Sequence, residues 1–356
     1  MSRRQSVVAT SLAGALLISG CAQFARMSPA YLDKVQAPSP LAARIDSAMK
    51  GLEKEGFSGT ILVARGTHMV IYSGYGVADA STGTRATALT RYPLGAIANQ
   101  FTATAVMQLE AEGRLDTEST AMAYDRDAAP SLAQATIDEL LTRSLEPVQY
   151  AGPSGPATAA RFTFGGPALA VGLEEQFRGK GMSYAELERV VSAASGQPYA
   201  SLRQNRIFTP AKMDRTIDAS QATSGDQVAV GNSFALGGPV QAQGLVAPLS
   251  DLYRFHLALE GTSVLNTAGR QALLEAGSNG YAPGWVVGET ANGATLLQHV
   301  GDTEGFQVWT AWLPQDDTVI LLGTNSDIGW RNLASEMLLG LVAGAPGGPP
   351  QRSATR

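Results

Sequence analysis

Cysteine is almost missing from this chain: Cys21 stands alone among 356 residues. A single thiol excludes an internal disulfide in any compartment. The three histidines, His68, His256 and His299, are far apart, so no cluster has the spacing of metal ligands, and neither a metal nor another cofactor is expected. Charge is also sparse, at 16% of residues, with 26 basic against 31 acidic side chains and a net charge of −5. That balance lacks the basic surface that nucleic-acid binding requires. Long apolar runs are missing as well: the stretch from Val7 to Ile18 falls short of the roughly 20 residues a membrane-spanning helix needs. What the chain does have is 44% hydrophobic residues, enough to bury a sizeable core.

Arg3 and Arg4 precede the short apolar run, and Ser19 and Gly20 close it. A charged start, a short apolar centre and a small-residue end describe a secretory signal over residues 1–20. Ile18-Ser19-Gly20-Cys21 resembles the lipobox of bacterial lipoproteins, in which the Cys is lipidated and becomes the new N-terminus; the alternative is an ordinary cleaved signal with an incidental Cys. Acyl chains on Cys21 would hold the protein at a membrane surface without a spanning helix. Ala22 follows, which by likeness to enterobacterial sorting favours the periplasmic face of the outer membrane within the cell envelope. Loss of residues 1–20 removes two basic side chains and no acid, so the mature chain is more acidic still.

Residues 21–40 then read as a tether, 41–343 as one folded domain and the Gly- and Pro-rich 344–356 as a disordered tail. Leu41, Ile45, Met49 and Leu52 recur at helical spacing. Ser58 to Ala64 and His68 to Val77 are β-rich runs joined by Arg65-Gly66-Thr67, a hairpin signal. A helix from Asn99 to Leu109, ended at Gly113, opens a mainly helical stretch with further helices over Ile137 to Leu141, Tyr184 to Ser195, Ser201 to Ile207 and Ser250 to Leu259. Strands resume at Thr295 to His299, Phe306 to Leu313 and Thr318 to Thr324, and Trp330 to Val342 closes as a helix. Strands at both ends around a helical middle predict an α+β fold. One antiparallel sheet is flanked by the N- and C-terminal helices, and a helical lobe at about 96–260 is inserted into it.

The order of fragments across this domain resembles the serine β-lactamase and penicillin-binding-protein-like family, in the branch of class C β-lactamases, D,D-peptidases and related esterases. The fragments are Phe57-Ser-Gly-Thr-Ile-Leu-Val-Ala, Gly74-Tyr-Gly-Val-Ala-Asp79, Gln100-Phe-Thr-Ala103, Thr136-Ile137 before Leu140-Leu-Thr142, Ser195-Gly-Gln-Pro-Tyr199, Ile207-Phe-Thr-Pro210, Gly244-Leu-Val246 and His299-Val-Gly301. In that family Ser-x-x-Lys at a helix start supplies the nucleophile and its base. Here the ungapped match places Ala96 on the Ser and Asn99 on the Lys. A methyl cannot attack a carbonyl, and a neutral amide cannot take up a proton. The family's Tyr-x-Asn falls on Gly179 and Gly181, with Tyr184 nearby in a packing role. The third motif survives as His299-Val300-Gly301, its Gly keeping the strand edge open, and the N–H of Asp302 with that of Ala96 would form an oxyanion hole. His299 is either a binding residue or a relic of the fold. Asp302 and Glu304 add negative charge there, which would repel a ligand carboxylate.

The resemblance therefore implies a degenerate family member: a lipid-anchored envelope protein whose residual pocket at His299, Gly301 and Asp302 takes a small-molecule or peptidoglycan-derived ligand. The alternative is an active serine hydrolase with a non-standard nucleophile, for which Ser144 and Ser183, with Lys180 the nearby amine, are the candidates. A Ser, Thr or Tyr oxygen within hydrogen-bond reach of a Lys or His beside Ala96 would favour that alternative. A third possibility is that the surface of the helical lobe docks another envelope protein.

Overall fold

A computed structural model describes residues 39–143, 181–233, 238–277, 279–290, 292–326 and 329–343. Residues 1–20, Cys21, Ser144, Gly179, Lys180 and the tail 344–356 lie outside them. The first helix, α1 (Pro40–Lys54), begins where its sequence dictates: the Ser39 hydroxyl accepts from the Ala42 N–H at 3.0 Å, and Pro40 sits in the first turn, where no N–H is needed. Its buried stripe is Ala42, Ile45, Met49 and Leu52.

The strands β1 (Gly59–Arg65) and β2 (His68–Tyr75) form the hairpin read from the sequence. They complete a seven-stranded antiparallel sheet whose other members are β3 (Tyr281–Ala282), β4 (Trp285–Glu289), β5 (Thr295–Thr303), β6 (Phe306–Leu313) and β7 (Thr318–Thr324), in the order β3-β4-β5-β6-β7-β1-β2. The join between the two ends of the chain is β1 on β7, running from Gly59 opposite Thr324 to Arg65 opposite Thr318. Strand alternation sends successive side chains to opposite faces. Ile61 and Val63 pack beneath α1 and the closing helix Trp330–Val342, whereas Leu62 and Ala64 face the helical lobe. Each such fully buried aliphatic side chain contributes about 1.5–3 kcal/mol.

The centre of the lobe is α2 (Asn99–Ala111), buried on almost every side. Phe101 meets Phe208 and Phe255 edge-on, with ring centroids 5.1 and 4.9 Å apart. Around it stand α3 (Ile137–Leu141), α4 (Gly181–Ser195) and α5 (Leu249–Glu260). The start of α3 is set by a capping box: Thr136 accepts from the Glu139 N–H, and the Glu139 carboxylate accepts from the Thr136 N–H.

Two expectations need correcting. The helix read over Ser201 to Ile207 ends at Arg203 and widens into a π-turn over Gln204–Phe208. Pro210 has no N–H to return to the Arg206 carbonyl, which accepts from the Gln108 side chain instead. The sheet also resumes at Tyr281, earlier than Thr295. Pro283 and Gly284 connect β3 to β4, and Gly284 (φ +80°) follows Pro as in a type II turn. Those two short strands carry too few alternating residues to be read from pattern alone.

Candidate functional site

The candidate site is built where the turn before α2 lies on β5. Tyr92–Pro93 pairs with Leu245–Ala247, and the Leu94 N–H donates to the Leu245 carbonyl at 2.9 Å, which fixes the approach. A 3-10 turn, Gly95–Ala98, then runs into α2. Contact with the strand is so close that a Cβ on Gly301 would stand 1.9 Å from the Leu94 carbonyl oxygen. Gly95, at φ +50°, has the Asp302 amide nitrogen 3.2 Å from where its own Cβ would be. Gly301 is thus demanded by backbone crossing backbone rather than by an open strand edge. The geometry keeps the Asp302 amide beside the Gly95–Ala96 turn.

Ala96 and Asn99 are both buried at the floor of this arrangement. Asn99 Nδ2 donates to Tyr281 Oη at 3.4 Å, and Tyr281 Oη lies 2.9 Å from His299 Nε2. His299 Nδ1 is 3.1 Å from the Val300 carbonyl oxygen, which can only accept, so Nδ1 carries the ring proton and Nε2 accepts from the phenol. Burial pushes the imidazole down to about 4, and the charge of Arg143 pushes the same way. Burial raises the Tyr281 phenol above its usual range, with Arg143 opposing. The Arg143 guanidinium sits over the Tyr281 ring, 5.4 Å from its centroid. Tyr184, buried beside Tyr281 at a ring separation of 6.2 Å, donates to the Leu141 carbonyl and accepts from the Gly284 N–H.

Position by position, the outcome is mixed. His299 is 1% exposed, an interior residue of β5. Asp302 departs from the sequence reading for a geometric reason: along β5, residues 297, 299, 301 and 303 face the lobe, while 296, 298, 300 and 302 face the opposite side. Its carboxylate accepts from Gln307 Nε2 at 3.2 Å on that far side, so only its backbone borders the cleft. Thr303 is the side chain that meets Gly95. Gly181 opens α4. Ser183 is fully buried. Tyr281 and Arg143 were not singled out by sequence reasoning. The only local signal for Tyr281 was the turn pair Pro283-Gly284 two residues on, and Arg143 carried none.

Residues 41–343 match the family model for Beta-lactamase. The chain belongs to the beta-lactamase family. This beta-lactamase family member is 24% identical over 291 residues to the putative penicillin-binding protein PbpX of Bacillus subtilis (strain 168), covering 77% of this chain and 72% of that one. Its fold is similar to the octameric penicillin-binding protein homologue from Pyrococcus abyssi, with a TM-score of 0.67 at 18% identity over 87% of this chain and 78% of that one. FmtA from Staphylococcus aureus superposes with a TM-score of 0.65 at 16% identity, covering 89% and 93% of the two chains. The beta-lactamase/D-alanine carboxypeptidase from Pseudomonas syringae gives 0.63 at 17% identity, covering 87% and 100%. In this member of the family, a buried phenol–imidazole pair, a neutral amide and a guanidinium border the start of α2.

Proposed function

We propose that this family member is catalytically silent, is anchored to the bacterial envelope through lipid on Cys21 and uses its residual cleft to bind a small-molecule or peptidoglycan-derived ligand. The observation that carries the reading is the pair at the helix start: the Ala96 side chain has no oxygen, and the neutral Asn99 amide cannot take up a proton and donates to Tyr281. In a serine protease of another fold, deleting the nucleophile costs about 10⁶ in kcat and leaves roughly 10³–10⁴ over water. Turnover of that size would be of no use beside an active relative.

Tyr281 and His299 stand at the distance of a nucleophile and its base, which is the one observation favouring a hydrolase. Their proton affinities oppose it. Burial raises the proton affinity of the phenol and lowers that of the imidazole, so moving the proton from one to the other is uphill before any bond forms. The phenol is also fully buried. Ser183 is no better placed, because its hydroxyl is sealed inside the lobe.

The turned-away carboxylate of Asp302 bears on the ligand. With that charge on the far face, the Asp302 share of the repulsion against a ligand carboxylate is removed, leaving that of Glu304, exposed in the turn after β5. Incubating the protein, freed of its lipid, with a fluorescent penicillin and with a fluorophosphonate tests the silent reading. No stable adduct is expected. An adduct that vanishes on mutating one hydroxyl, Tyr281→Phe above all, overturns it.

A further inference from the structure

Three side chains converge on Tyr281. Its Oη donates to His299 Nε2 and accepts from Asn99 Nδ2, and the Arg143 guanidinium sits over its ring, 5.4 Å from the centroid. We propose that Arg143 is the resident cation of this site, held in place through Tyr281, and that its charge dictates that position 99 carry no positive charge.

The loop that presents Arg143 is built for the purpose. Arg143 is 4% exposed and adopts φ +52°, a left-handed conformation that non-glycine residues seldom take. The two peptide groups before it are tied to the opposite wall: the Leu141 carbonyl accepts from the Tyr184 hydroxyl at 2.9 Å, and the Thr142 carbonyl accepts from Asn279 Nδ2 at 2.9 Å. Asn279 in turn accepts from the Tyr281 N–H at 3.0 Å. The loop after α3 and the hairpin that carries Tyr281 are therefore clamped at the residues that set the guanidinium over the ring. Buried charges interact through a low effective dielectric, so a second cation brought to the Tyr281 hydroxyl beside this guanidinium is strongly disfavoured and an anion there is favoured. Asn99 meets this constraint by donating a neutral hydrogen bond. The proposal goes beyond the functional reading above and needs no ligand.

The test is a set of double-mutant cycles on thermal unfolding, with Asn99→Lys and the isosteric Asn99→Asp each made in the native background and in Arg143→Gln. Asn99→Lys is expected to lower Tm by about 5 °C more when Arg143 is present than when it is Gln. Asn99→Asp is expected to show the reverse order, costing more once Arg143 is gone. Should the Lys variant fail to fold, the Asp cycle and an NMR titration still decide. In Arg143→Gln the imidazole of His299 should titrate closer to its ordinary value while amide exchange over residues 297–301 stays native, which separates the lost charge from lost burial. Equal Tm shifts in the two backgrounds, or an unmoved His299 titration, overturn the proposal. Failure of every candidate ligand to bind bears only on the function proposed above.

Discussion

His299 shows how one residue's surroundings become a property of the whole protein. Its imidazole stands at about 4 in the fold against an ordinary 6.5. Between those two values the unfolded chain holds a proton that the folded chain does not, so folding gains stability as pH rises through this window. The contribution is complete above about pH 6.5 and is lost as pH falls towards 4, on the order of 3 kcal/mol in total. Tm should therefore drop over that interval, and the difference between the native protein and His299→Gln should shrink on acidification. Parallel Tm curves for the two proteins between pH 7 and 4 would count against this account. At the same scale, that positions 96 and 99 carry a methyl and a neutral amide was legible from residue order, because a motif of four consecutive residues places its own side chains within one helical turn. Tyr281 and Arg143 were not, because nothing in their neighbours reports that a hydroxyl and a guanidinium distant in sequence will meet.

At the scale of elements, the hairpin of β3 and β4 is what brings Tyr281 to the start of α2. Gly284 lets it approach α2: at φ +80°, a Cβ there would stand 2.7 Å from the Gln100 Cα, a backbone atom that cannot swing aside. Gly284→Ala should cost about 2–3 kcal/mol, beyond the roughly 1 kcal/mol expected for the conformation alone. It should also speed amide exchange through residues 281–289. A variant with native Tm and native exchange would show that the close approach is not needed. The strands of this hairpin were missed from sequence because two-residue β3 offers no period to read. Strands of seven to nine residues, β5 through β7, were found because alternation or sustained apolarity is visible over that length. Even there, which face each residue takes depended on the neighbouring layers, and this is why the Asp302 carboxylate was misjudged while its position in the strand was not.

At the scale of the molecule, no helix among the described residues is long and apolar enough to cross a membrane. The envelope placement proposed here therefore rests on Cys21. Cys21→Ser should release the protein from membrane fractions into the soluble periplasmic extract without changing its Tm; membrane retention of the Ser variant would argue for another attachment, and native protein already in the soluble extract for an ordinary cleaved signal. Residue order alone established the α+β class, the helices flanking the sheet and the absence of a nucleophile with its base at the start of α2. These follow from local periodicity and from which atoms each side chain owns, and no folding can add an oxygen to Ala96. Only the tertiary structure decided that His299 is buried and neutral, that Asp302 turns its charge away and that Arg143 and Tyr281 meet beside the start of α2. Proximity between residues far apart in the chain is set by β1 closing on β7 and by the hairpin packing on α2, and packing of that kind leaves no trace in any short stretch of sequence.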